Sequence, residues 1–309
     1  MRRETNRTNP ISLRSNTITS SEPGSLDNFG DVMGEVKNII LLIYKKFDFN
    51  QFEQVFGDIL KLFNGHYPGY RRCNTFYHDL SHTMDCLLVT AKLIHGAGLN
   101  GIVFTPRDVT LGLISALMHD TGYIQAVEDN TGTGAKYTVS HIERSIEFMK
   151  KYLHDNAFPS EYLPICRNFL RCTGLDVKIA EIKFQSRQHE ILGQILGTAD
   201  LIGQMANENY LEKLPFLYDE FKEAGVPGYN DILDLLKKTP AFWEMVKQRL
   251  VNELGHVDRY LRDYLRALWG INQDLYRQAI DRNIERLQLF LAAPRPTFHG
   301  VRQAHIKWV

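Results

Sequence analysis

The stretch TPRDVTLGLISALMHDTG, residues 105–122, decides how this chain folds. Thr105 followed by Pro106 is a helix start: threonine caps orphan backbone N–H groups, and proline fits the first helical position. Val109, Leu113, Ala116 and Leu117 then recur at helical spacing, so the segment predicts a helix with a buried stripe. That helix delivers His119-Asp120 at its C-terminal end, and Gly122 breaks it. An adjacent histidine and aspartate carried inward by an apolar helix need a partner, because an uncompensated buried charge is costly.

The same periodicity extends in both directions. Val32, Val36, Ile39, Ile40 and Ile43 predict a helix from about Asp31 to Phe47. Phe52, Val55, Phe56, Ile59, Leu60 and Phe63 predict a second from Gln51, ended by Gly65. Residues 65–75 read as a loop, and a helix from Leu80 to about His95 is closed by Gly96 and Gly98. Residues 123–137 form a polar, glycine-bearing loop suited to a pocket rim. Further helices are expected over 139–154, 159–172, 188–207, 208–224, 229–238, 240–253 and 256–292. No segment alternates strictly and no period repeats. The expected fold is all-α, a compact multi-helix bundle over 31–293, with a disordered leader at 1–30 and a tail at 294–309 after Pro294.

Composition narrows the setting. With 44% apolar and 23% charged residues the chain has material for a substantial core. A formal net charge of +0 gives no global field to draw in nucleic acid, although a local basic patch stays open. The four cysteines, Cys73, Cys86, Cys166 and Cys172, form no CxxC pair and read as reduced thiols. Arg2, Arg3, Arg7 and Arg14 precede no apolar segment, which disfavours a secretory signal and favours a plain tail over a transit peptide. The apolar run near Ile39–Ile43 is too short to span a bilayer, so a cytoplasmic protein is expected, with homo-oligomerisation left open.

Five features carry chemistry: His78 and His82 four apart; His119-Asp120; His141 after the polar loop; Asp200 inside the apolar run 195–202; and His189 on the same predicted helix. His78 and His82 share a face if the helix already includes His78. A lone histidine such as His141 near a helix start is ordinarily a cap or a satisfied core group. Asp200 is harder to dismiss, since Gly197 and Ala199 leave room for close approach and a carboxylate there needs a cation or several donors. His189 precedes Asp200 by eleven residues on a continuous helix, about 16 Å along the axis, so the two cannot share an ion. Imidazole and carboxylate without thiolate suit divalent Zn, Mn, Fe, Co or Ni, with Mg at a more oxygen-rich position.

The ordered set His78-Asp79-Leu80-Ser81-His82, His119-Asp120 and Ala199-Asp200-Leu201 resembles the HD superfamily of metal-dependent phosphohydrolases. More closely, it is similar to the catalytic domain of class I cyclic nucleotide phosphodiesterases, over about Tyr77 to Phe221. Cys172-Thr173-Gly174-Leu175-Asp176 also resembles that family's turn between HD and the last aspartate. The chain departs from the pattern in having Tyr123 where the family has a further histidine, and Asp79 where it has asparagine. The family's purine-clamping glutamine has no counterpart placed in 240–290, so the substrate is not carried over.

The resemblance implies that His82, His119, Asp120 and Asp200 bind a first divalent metal, and that Asp120 bridges to a second, with His141 assisting there or at the phosphate. A metal-activated water would attack phosphorus between ions roughly 3.5–4 Å apart, and His78 would protonate the leaving oxygen, oriented by Asp79 or another carboxylate. Arg71, Arg72, Lys136 and Arg144 are candidate phosphate contacts, each more simply read as a solvated charge. The expectation is an enzyme acting on a small phosphate ester, a nucleotide or cyclic nucleotide diester. The alternatives are a nucleotide phosphomonoesterase on the same site, a non-catalytic nucleotide-binding module, and a helical interaction protein with buried polar pairs.

Overall fold

The computed structural model describes residues 26–293, and within them the protein is all-α. The helices are α1 (Leu26–Ile43), α2 (Asn50–Phe63), α3 (Leu80–Leu99), α4 (Pro106–Met118), α5 (His141–Asp155) and α6 (Tyr162–Arg171). They are followed by α7 (Arg187–Met205), α8 (Tyr210–Glu223), α9 (Ile232–Asn252), α10 (Arg259–Trp269) and α11 (Leu275–Ala292). Among the described residues there is no strand; Tyr70 and Ala126 form one isolated bridge. Of the expected leader and tail, residues 1–25 and 294–309 lie outside the described residues.

The bundle is built around α3. Leu87, Leu93, Ile94 and Ala97 are fully buried, and so, nearly, are Met84, Val89 and His82. A helix buried on nearly every side must have neighbours all round it. They are α1, α4, α7 and α10. Packing α3 against α4 and α7 brings the first turn of α3, the last turn of α4 and the middle of α7 together. His82, His119, Asp120 and Asp200 arise there, and His141 joins from the start of α5.

Thr105 and Asp108 close α4 with a reciprocal capping box, Thr105 Oγ1 accepting from the Asp108 N–H while Asp108 accepts from the Thr105 N–H. This fixes where the helix starts, and hence which residues it presents at its other end.

Several helix boundaries differ from expectation. α1 begins at Leu26, five positions before Asp31 and inside the expected leader, and it ends at Ile43, before Phe47. α3 runs through Gly96 and Gly98 to Leu99. Gly96 serves packing there: a Cβ at this position would sit 2.0 Å from the Tyr260 carbonyl oxygen of α10. Gly96→Ala is therefore expected to cost about 1–3 kcal/mol by overpacking, read as a lower midpoint in urea.

α9 is one helix across Pro240, where two were expected. The buried stripe of Leu236, Trp243, Val246 and Leu250 holds it together, and Thr239 Oγ1 donates to the Leu235 carbonyl beside the proline. Conversely, the expected helix over 256–292 is two. Gly270, at φ 68, ends α10 in the left-handed conformation, and the Asp274 side chain caps α11 by accepting from the Arg277 N–H.

Candidate metal centre

Local hydrogen bonds hold the His119 ring and the Asp200 carboxylate, and fix the backbone that carries His82 and Asp120. On α3, Asp79 is the N-cap and accepts from the His82 N–H at 2.8 Å, which places His82 in the first turn. At the end of α4, His119 Nδ1–H donates to the Ala116 carbonyl at 2.8 Å and leaves Nε2 facing inward. Ser145 of α5 clamps the turn that follows: its Oγ donates to the His119 carbonyl at 2.6 Å and accepts from the Gly122 N–H at 2.8 Å. A Cβ on Gly122 would lie 1.9 Å from the His141 carbonyl oxygen, so the glycine lets the turn approach α5. On α7, Gln204 donates to Asp200 Oδ1 at 3.3 Å, and Tyr77 Oη–H donates to Gln204 Oε1.

These anchors converge four side chains. The Nε2 atoms of His82 and His119 are 3.2 Å apart. Asp120 Oδ2 lies 3.2 Å from His82 Nε2 and 3.3 Å from His119 Nε2. Asp200 Oδ1 lies 3.1 Å and 3.7 Å from the same two atoms. Donors about 2.0–2.2 Å from a shared ion stand roughly 2.8–3.6 Å apart at tetrahedral or octahedral angles. His82, His119 and Asp200 each place one donor atom within 4.8 Å of the others, and Asp120 joins through its contacts with both imidazoles. Its Oδ2 is buried without a hydrogen-bond donor. The donor set and its spacing fit a divalent cation.

The electrostatics agree with that fit. Burial alone would push the His82 imidazole down, but Asp120 and Asp200 override it and raise it to about 9. His119 is raised well above its usual value against the same burial, chiefly by Asp120. Burial would raise both carboxylates; His119 and His82 instead hold Asp120 and Asp200 low. Without a cation the cluster therefore keeps protons on its imidazoles. The sign of the linkage follows. In metal-stripped protein the contribution of His82 is fully present below its unfolded value near 6.5 and is lost as pH rises through about 9. Stability of stripped protein is expected to fall between those limits in urea titrations, and saturating Zn should abolish the fall, since a cation binds the deprotonated ring.

Two further histidines border the cluster. His141 donates from Nδ1 to the Thr138 carbonyl at 2.6 Å, which directs Nε2 to within 3.9 Å of Asp120 Oδ1, the carboxylate oxygen not used by His82 and His119. Burial lowers its pKa, with Asp120 opposing, so the ring stays a neutral donor at pH 7. His78 precedes α3 and does not share its face; its ring centroid is 5.9 Å from that of His82. Tyr123 is stacked between His78 at 4.4 Å and His141 at 4.8 Å. His82, His119 and Asp120 form a floor at 1–3% side-chain exposure. His78, His141 and Asp200 are partly exposed, at 14, 22 and 15%.

The remaining candidates take the following partners. Asp79 does not orient His78; it caps α3 and pairs with Lys213 at 3.3 Å. The orienting carboxylate is Glu220 of α8, which the sequence did not single out. Its Oε2 accepts from His78 Nδ1–H at 2.6 Å, and its Oε1 accepts from the Phe76 and Tyr77 N–H groups at 2.9 and 2.7 Å. Arg144 is committed to the Gly122 and Ile124 carbonyls and to the Tyr137 ring, and Lys136 to Asp129 and Thr131. Arg71 contacts the Val127 carbonyl, and Arg72 is exposed. His189 stands at the start of α7, paired with Asp108 at 3.1 Å, away from Asp200.

A family model described as Npun_R2479-like matches residues 129–266, a span that holds His141, Asp200 and Glu220 and begins after His119-Asp120. No curated protein and no solved structure matches the chain.

Proposed function

We propose that this protein is a metal-dependent hydrolase of phosphate esters, acting on a nucleotide or cyclic nucleotide diester. The observation that carries the reading is the convergence of His82, His119, Asp120 and Asp200 at ligand spacing, with a partly exposed His78 beside them. His82, His119, Asp120 and Asp200 would hold one divalent cation, Zn, Mn, Fe, Co, Ni or Mg. The free Oδ1 of Asp120, with His141 Nε2, would suit a second. A cation there would supply Lewis acidity and water activation near neutral pH.

The protein's own groups supply the rest. Ser145 and the Ala116 carbonyl fix His119, and Gln204 fixes Asp200, so the donor geometry is set before any ligand arrives. Glu220 commits Nδ1–H of His78, leaving Nε2 as the position from which a proton would pass to the leaving oxygen. Tyr123, stacked against the other face of that ring, keeps it from rotating.

The test is a hydrolysis panel in Mn- or Zn-supplemented buffer: bis-p-nitrophenyl phosphate, p-nitrophenyl phosphate, cyclic nucleotides and nucleoside monophosphates, with His78→Ala and Asp120→Ala as controls. Turnover of diesters that Asp120→Ala abolishes supports the reading, and preference for monoesters would move it to a phosphomonoesterase. Activity that survives Asp120→Ala excludes the mechanism.

A further inference from the structure

Away from the metal centre, α6 and the connection to α7 line an open cleft of about 550 Å³. Arg167 and Arg171 line it from α6, four residues apart and so on one face of that helix. Lys178 and Lys183 line it from the connection, together with Asp176 and Glu181. Four cations against two carboxylates leave a local excess of two positive charges in a chain whose formal net charge is +0. Arg171 spends its charge on an exposed bridge to Glu143 at 3.2 Å, which is worth little and is easily exchanged. Arg167, Lys178 and Lys183 have no ion-pair partner among the described residues.

The wall of this cleft is rigidly held. Arg249, buried on α9, donates to the carbonyls of Cys172, Gly174, Leu175 and Val177 at 3.3, 2.6, 3.0 and 3.0 Å. Buried Asn168 donates to the Lys183 carbonyl at 2.9 Å, and Glu253 accepts from the Ile179 N–H at 2.9 Å. Three side chains, from α6 and from α9 and its C-cap, thus pin an irregular connection that makes no ladder of its own. Such anchoring keeps the basic groups facing a shaped space and lowers the ordering cost of binding.

We propose that this cleft is a binding site for a small molecule bearing two or more adjacent phosphates. Its volume falls in the usual range for small-molecule sites, about 300–1,000 Å³, and is more than a single phosphate needs. A pair of guanidinium groups on one helix face matches neighbouring phosphate oxygens in charge and geometry. The site shares no lining residue with the metal centre and does not depend on its function.

The experiment is calorimetric titration of the whole 309-residue chain with inorganic pyrophosphate. Wild type and His119→Ala are expected to bind it alike, at one saturable site. The Arg167→Ala/Lys183→Ala double variant should bind at least about tenfold more weakly, for two lost charge-assisted contacts. Both side chains are exposed, so folding should be retained, and Lys178→Ala provides a second, independent variant. Absence of saturable binding overturns the proposal. So does binding that the double variant keeps and His119→Ala loses, which would place the anion at the metal centre. Tighter binding of a short single-stranded oligonucleotide than of pyrophosphate would make this a nucleic-acid face and overturn it equally.

Discussion

Asp120→Ala is expected to remove the cation and phosphodiester turnover together. Asp120 is the one candidate ligand that meets both inward imidazoles through Oδ2 and points its other oxygen at His141. Loss of a partner in the outer shell of a metal site typically costs 10–100-fold in affinity or activity, and a direct ligand should cost more than about a hundredfold. The folded protein should suffer as well. In stripped protein Asp120 sits buried against two imidazoles that it keeps protonated, and removing one partner of such a buried pair costs about 3–5 kcal/mol. Denaturation and metal analysis on the same sample separate the two effects. Saturating Zn should stabilise wild type against urea and leave Asp120→Ala unmoved.

Glu220→Gln should produce the opposite pattern: metal retained, catalysis impaired. Glutamine can still accept from the Phe76 and Tyr77 N–H groups through its carbonyl oxygen, so the loop before α3 should keep its shape. Its NH2 group, however, would face His78 Nδ1 and force that nitrogen to accept. The ring could then no longer hold protons on both nitrogens, and proton delivery to the leaving oxygen should fail. A general acid contributes about 100- to 10,000-fold where the leaving group is basic. Nucleotide diesters with alkoxide leaving groups should therefore slow by at least about a hundredfold in kcat, and p-nitrophenyl esters, whose leaving group needs little protonation, far less. Equal slowing of both would point to a general distortion and remove His78 from the acid role.

Much of this architecture was legible in the sequence, for identifiable reasons. The 3.6-residue periodicity exposed the helices, and Thr105-Pro106 fixed where α4 starts and so where His119-Asp120 emerges. Spacing alone separated His189 from Asp200, because helix rise is a constant. Boundaries read from glycine and proline were the weak point. Gly96 and Gly98 resemble a stop but sit inside α3, where Gly96 admits the backbone of α10. Pro240 resembles a break but is spanned by a buried stripe, whereas Gly270 is a true stop. Tertiary packing decides among these cases, and one-dimensional pattern does not carry it.

The site shows the same division. Its candidate ligands were visible as acids and imidazoles in apolar surroundings. Glu220 was not, since α8 also carries Glu212, Asp219 and Glu223, and only the fold distinguishes the one buried beneath the His78 loop. Asp79 was the natural sequence guess as the partner of His78, yet helix start geometry turns it to the backbone of His82. Tyr123 read as a missing ligand, and the structure shows it as the ring between His78 and His141.

The central claim is that His82, His119, Asp120 and Asp200 hold a divalent cation, and metal content tests it most directly. Purified chain should be exposed to Zn or Mn, desalted and analysed by plasma mass spectrometry beside His119→Ala prepared identically. At least about one equivalent per wild-type chain is expected, with none above background in the variant. Wild type free of metal after that exposure, or equal metal in both proteins, would contradict the account.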